Sequence, residues 1–148
     1  MTTEYSPSKI AQLNAYWNDD YPNAQRKRDA SRLYNGYSYA FHSQSTNNHI
    51  WLNSPTIYMS DGSYLYNGSV SGKQIPFPSC ADTASVIYYR QASRPDLEHA
   101  ARVYRTSKAQ VLSKWGEAGL YLHEAYKCPY YVDDTILDFY RYNPAYLT

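Results

Sequence analysis

LEHAARVYRTSKAQVLSKWGEAGL, residues 97–120, is the stretch on which the reading of the fold turns. Leu97, Ala101, Tyr104, Val111 and Trp115 recur at helical spacing, so one amphipathic helix from Pro95 to Trp115 would set all five against a core. Gly116 and Gly119 interrupt that pattern, and Leu120, Leu122 and Ala125 continue it as an apolar-acidic helix stopped by Cys128-Pro129. On the N-terminal side, Val86, Ile87, Tyr89 and Arg90 belong to a helix ending near Ser93. On the C-terminal side, Asp133 is placed to cap a last helix with Ile136, Leu137 and Tyr140, ended by Pro144. Residues 80–148 are therefore expected to be helical.

The other end of the chain has the same character. Ser6-Pro7 is a helix start, with the serine as cap and the proline where its missing N–H does no harm. Ile10, Leu13 and Trp17 follow on one stripe, and Asp19-Asp20-Tyr21-Pro22 breaks it. A second helix is expected over Asn23 to Tyr34, closed by Asn35-Gly36, which makes residues 1–36 helical. Between the two helical regions the period changes. Tyr37, Tyr39 and Phe41 alternate with Ser38 and Ala40, and His49 to Asn53 is a further strand candidate. Thr56 to Met59, Asp61-Gly62, Tyr64 to Tyr66, Asn67-Gly68 and Val70 have the order of a meander with two tight turns. Ile75-Pro76-Phe77-Pro78 is an extended joint. The expected fold is one α+β domain, residues 1–148, in which a small antiparallel meander over 37–74 packs against N-terminal and C-terminal helices.

A chain of 148 residues is about one domain, with enough apolar content to bury a core. Cys80 and Cys128 are its only cysteines, too few for a disulfide framework, and their spacing fits no zinc site. Histidines 42, 49, 99 and 123 are scattered, so neither a metal nor a cofactor is expected. The polar start MTTEYSPSK carries no secretory pattern, and no apolar run reaches the length of a membrane span. A cytoplasmic protein is expected, in the host cytoplasm if the chain is virus-encoded. The net charge of +1 is uneven: residues 21–35 and 94–116 each carry +3. Two basic segments in a near-neutral chain suit a modest phosphate-binding face.

The second basic segment resembles the helix-turn-helix motif of small DNA-binding proteins. Ala101 is the small residue where the two helices touch, Tyr104 the apolar end of the first, and Arg105-Thr106 the turn. Ser107 is the cap of the second helix, and Val111 its anchor. The resemblance implies that Lys108, Ala109, Gln110, Ser113 and Lys114 open a recognition helix, with Gln110, Lys108 and Lys114 towards base edges. Arg102 and Arg105 would hold phosphates, and a homodimer would follow if the duplex DNA site were palindromic. Arg105 stands where the motif usually has glycine. The alternative is the single continuous helix described above. Tyr104 and Lys108 also have the Tyr-x-x-x-Lys spacing of short-chain dehydrogenases, but the Gly-rich nucleotide loop that chemistry requires is absent from the sequence.

Tyrosine dominates the aromatic content, 19 residues against 3 Phe and 3 Trp, and tyrosine needs a partner for its hydroxyl when buried. The tract from Tyr34 to Tyr66 interleaves rings with Ser, Asn and Thr, the composition of adaptable protein-binding surfaces. Tyr37, Tyr39, Tyr58, Tyr64 and Tyr66 are its candidate contact residues, in a protein-binding accessory factor such as a small phage- or virus-encoded inhibitor or a virion component. His123-Glu124 and Asp133-Asp134 are assigned to a helix surface and a helix cap. An enzyme with an unrecognised site, around Cys80 and a histidine, is the remaining alternative. The expectation is a non-enzymatic binding protein, through DNA first and a protein partner second.

Overall fold

A period of two, not 3.6, governs the chain from Tyr64 onward. The computed structural model describes residues 2–147. Its strands are β1 (Gln25–Arg28), β2 (Tyr64–Ser71), β3 (Val86–Arg90), β4 (His99–Arg105), β5 (Gln110–Lys114), β6 (Leu120–Glu124) and β7 (Ile136–Tyr142). They form one antiparallel sheet in the order β1-β6-β5-β4-β3-β7-β2. The protein is mostly β. The antiparallel strands are as expected, but the C-terminal helices are not formed. The segment read as one helix or a helix-turn-helix, residues 97–120, is β4, a single 3-10 turn at Thr106–Lys108, β5 and the start of β6. The helices expected around Val86 and Ile136 are β3 and β7.

The reason lies in what each position must cover. Paired residues in an antiparallel ladder point to the same face. Ile87, Ala101, Val111, Phe139 and Leu137 therefore share one face of the sheet, and Val86, Ala100 and Tyr140 share the other. The central strands are buried on both faces, so their sequences are near-continuous apolar runs that a helical template also fits. Ala100 and Ala101, poor strand formers in isolation, are both completely buried, and their small side chains admit the layers above and below them.

The first face carries the larger core, around Tyr89, Trp115, Tyr121, Tyr126 and Phe139, and the extended segment through Phe77 closes over it. The second face carries a smaller core of Ala40, Phe41, Tyr64, Val86 and Ala100. Its cover is the segment expected to be strands. Residues 38–42 form a short π-helical turn, and Thr56–Ser60 form helix α2. Tyr64–Ser71 is one strand, not a hairpin: Asn67 is a bulge, and Gly68 has a φ of 132° with its Cα against Cys80, where a Cβ would meet the Cys80 side chain at 2.9 Å. Helix α1 (Pro7–Ala15) forms as expected, the Ser6 hydroxyl accepting the Lys9 N–H at 3.3 Å. The second expected N-terminal helix does not: Gln25–Arg28 is the edge strand β1.

Candidate ligand-binding cleft

The six residues assigned to a DNA-reading face do not share one. Lys114 is fully buried on β5, its ammonium donating to the carbonyls of Ser31 at 2.6 Å, Tyr34 at 3.2 Å and Gly116 at 2.5 Å. Arg102 turns inward to the second face and donates to the Ala40 carbonyl at 3.2 Å. Gln110 lies at the opposite end of β5 from Lys114 and lines a cleft. Arg105, Ser107 and Lys108 remain together, exposed at the β4–β5 turn beside the exposed Tyr104. The left-handed residue of this turn is Ala109, with a φ of 51°, four positions beyond the Arg105 that the motif reading would have required to adopt it.

The tyrosines divide in the same way. Tyr39 and Tyr64 are buried, and Tyr37 and Tyr58 are half-buried against the second core. Tyr66 is the exposed one of the five. A strand face that meets a covering layer takes its large rings inward, so the tract builds core before it builds surface. His123, assigned to a helix surface, is instead buried on β6.

The residues around His123 have the outline of a reactive pair. The Ser113 hydroxyl lies 2.6 Å from His123 Nε2, and His123 Nδ1 lies 2.7 Å from the Glu124 carbonyl oxygen. That carbonyl can only accept, which puts the proton on Nδ1 and leaves Nε2 to accept from the serine. The Trp115 indole N–H donates to the same serine oxygen at 2.9 Å. Ser113 has no exposed surface and Trp115 lies over it, so the arrangement is a closed polar network inside the core. Burial holds the His123 ring neutral, its pKa lowered to about 4 even though the bond to Glu124 pulls it up. Cys128 is equally inert: burial pushes its thiol up to about 12. Cys80 packs against Gly68, and its thiol is raised by burial as well. Among the described residues, no group of three or more His, Cys, Asp or Glu side chains is placed to hold a metal ion.

Beside this network lies a cleft of about 430 Å³, which His123 helps to line. Its walls are Tyr21 and Pro22, from the link between α1 and β1, Leu122 and His123 of β6, and Tyr126 and Tyr131 from the loop that follows. The walls are held by ring packing and hydrogen bonds. Tyr21 packs edge-on to the buried Trp115 at 5.3 Å, and Tyr126 both donates to the Gln74 carbonyl at 2.8 Å and accepts its N–H at 2.9 Å. Tyr131 packs edge-on to Tyr126 at 5.2 Å. The polar rim includes Asn23, Gln25 and Gln110, whose side-chain amides make no hydrogen bond among the described residues. Glu124 and Lys127, also on the rim, pair with each other at 3.7 Å. An aromatic-walled cleft of this size, with free amides on its rim, can bind and orient a ligand.

Apart from Gln110, which the sequence assigned to reading DNA bases, none of these cleft residues was singled out from the sequence as a site. The available signal was the alternation in QVLSK and LYLHE, residues 110–114 and 120–124, which as strands would have put Gln110 beside Glu124. No family model, curated protein or solved structure matches the chain. Among the described residues no helix is long and apolar enough to cross a membrane.

Proposed function

We propose that this is a non-enzymatic binding protein that takes a peptide segment of a protein partner at the cleft beside β1. The observation that carries the reading is the placement of the three free amides of Asn23, Gln25 and Gln110 on the rim of an aromatic-walled cleft next to an edge strand. A side-chain amide offers a donor and an acceptor in one plane, the pattern a peptide group presents. The edge strand has one sheet neighbour, so its outer backbone groups can pair with an added strand, while Tyr21, Tyr126 and Tyr131 receive an apolar side chain. The test is selection from a random peptide library, followed by affinity measurement against Gln110→Ala and Tyr131→Ala. Each substitution is expected to weaken a selected peptide by about tenfold, the cost of one lost hydrogen bond or one ring contact. Selected peptides that bind both variants as tightly as the wild type would remove the cleft from the proposal.

A second reading rests on the β4–β5 turn. Arg105 and Lys108 are exposed there, without an ion-pair or hydrogen-bond partner among the described residues, and Tyr104 beside them is 52% exposed. A turn with two free cations and a ring suits phosphate contact with stacking on a nucleic acid. Fluorescence anisotropy with duplex and single-stranded DNA at two salt concentrations tests it. Arg105→Ala/Lys108→Ala is expected to lower the salt slope by about two, one for each phosphate contact. An unchanged slope would end this reading and leave the cleft untouched.

A further inference from the structure

A second cavity, of about 110 Å³, lies where the loop at residues 35–37 meets Trp51, the start of β4 and Tyr130. Its lining is unlike that of the cleft. Tyr37, Trp51, His99 and Tyr130 supply four aromatic rings, Glu98 supplies the one carboxylate, and neither lysine nor arginine contributes to the wall. The rings are held in place. Tyr130 stacks flat on His99, with centroids 3.8 Å apart and planes 7° apart. The Glu98 carboxylate accepts a short hydrogen bond from the Tyr88 hydroxyl, which fixes it at the cavity edge. Gly36 lets the 35–37 loop pack closely against the His99 ring: a Cβ there would stand 2.7 Å from His99 Cε1 and 2.9 Å from the Lys114 carbonyl oxygen. His99 Nε2 is buried without a hydrogen-bond partner, and burial drives the ring well towards its neutral form, so the histidine adds no positive charge.

We propose that this cavity is a binding site for a quaternary ammonium group, held over the faces of Trp51, Tyr37 and Tyr130 with Glu98 as its counter-charge. A cation is attracted by the negative face of an aromatic ring, and aromatic boxes of this kind recognise methylated ammonium heads. The protein itself shows why methylation matters. The primary ammonium of Lys114 is buried among three carbonyl oxygens, one for each of its N–H groups. The cavity offers rings and one carboxylate, and a group without N–H donors leaves no hydrogen bond unmade by entering it, so the rings and the carboxylate need offset only the loss of hydration of its charge. Lys114 does not compete for the site, because its N–H groups are directed to Ser31, Tyr34 and Gly116. The shared chemistry is a trimethylammonium head, carried either by a small free amine or by a methylated lysine on a peptide.

Titration with tetramethylammonium chloride tests the site, by calorimetry and by the NMR shift of the Trp51 indole N–H, with tert-butanol as the uncharged control of similar shape. Saturable binding is expected for the cation and not for the alcohol. Trp51→Ala, at a position 43% exposed, is expected to weaken binding by about tenfold, and Glu98→Gln, which keeps an acceptor for Tyr88, by several-fold. Choline and a trimethyl-lysine peptide, compared next, separate the two sources, and tighter binding of either one supports the site. Equal binding of tert-butanol, or tetramethylammonium affinity unchanged in both variants, would overturn it.

Discussion

Ser113 and Lys114 are neighbours on β5, and their side chains lie on opposite faces of the sheet, both fully buried. The two faces deal with a buried polar group differently. On the first face Ser113, His123 and Trp115 satisfy one another, and the Glu124 carbonyl fixes the histidine tautomer. The network is neutral and needs nothing outside its own strands and their ends. On the second face the hydrogen bonds of Lys114 all go to backbone carbonyls, and its ammonium also lies over the Tyr34 ring, 4.7 Å from the centroid. A separate loop, residues 31–34, curls back to bring two carbonyls to it, and the turn at Gly116 brings a third. One face is completed by the sheet, the other by chain that folds over it. The second arrangement also ties the loop bearing Gly36 and Tyr37, and hence one wall of the small cavity, to the sheet.

The sharpest way to break this contrast is Lys114→Met, which keeps the aliphatic stem and removes the ammonium. Three carbonyls then lose a donor, at about 1–3 kcal/mol for each one left dry. Because water can reach part of the site, the expected total is about 3–5 kcal/mol, read as a lowered urea midpoint. Burial brings the Lys114 ammonium down to about 7, against the pull of Glu4 and Glu117. Between that value and the ordinary value of 10.5 the unfolded chain binds the proton and the folded chain does not. Wild-type stability is therefore expected to rise with pH across this window, and the Met variant to lose that rise. A variant as stable as the wild type would mean that the 31–34 loop does not depend on the clamp.

Local signals could be read and long-range ones could not. Ser6-Pro7 reports on local geometry alone, and the helix it announced is α1, which ends at Ala15, short of Trp17. A chain reversal at Asp61-Gly62 is present, with Gly62 at a φ of 89°, but it joins helix α2 to β2 and is not the hairpin turn expected. Residues 97–120 misled because Ala101, Tyr104, Val111 and Trp115 satisfy a helical spacing by coincidence, in strands whose two faces are both covered. Only the pairing of Val111 with Val103 and His123 decides the matter, and pairing is a long-range property. Tyr37, Tyr39 and Phe41 misled in the opposite direction. Their alternation suits a strand, but they cap the second face from a π-helical turn and its flank. The cleft was illegible for the same reason, since Tyr21, Gln110 and Tyr131 meet only once β1, β5 and β6 are in register.

The neutral network of the first face gives a smaller effect of the same sign, in a more acid window. His123 titrates at about 4 in the folded protein and near 6.5 when unfolded, because burial disfavours its charged form. Between these values the unfolded chain binds a proton that the folded chain does not, so stability falls as the pH drops from 6.5 towards 4. From pH 7 to pH 5 the expected loss from this one ring is about 2 kcal/mol. His99, buried and also held neutral, contributes in the same direction. His123→Gln supplies an acceptor for Ser113 without a proton to gain, so its denaturation midpoint should change less between pH 7 and pH 5 than that of the wild type. Two identical pH profiles would place the acid sensitivity on groups outside the serine–histidine–tryptophan network, His99 first among them, and the first face would then owe none of its acid response to that network.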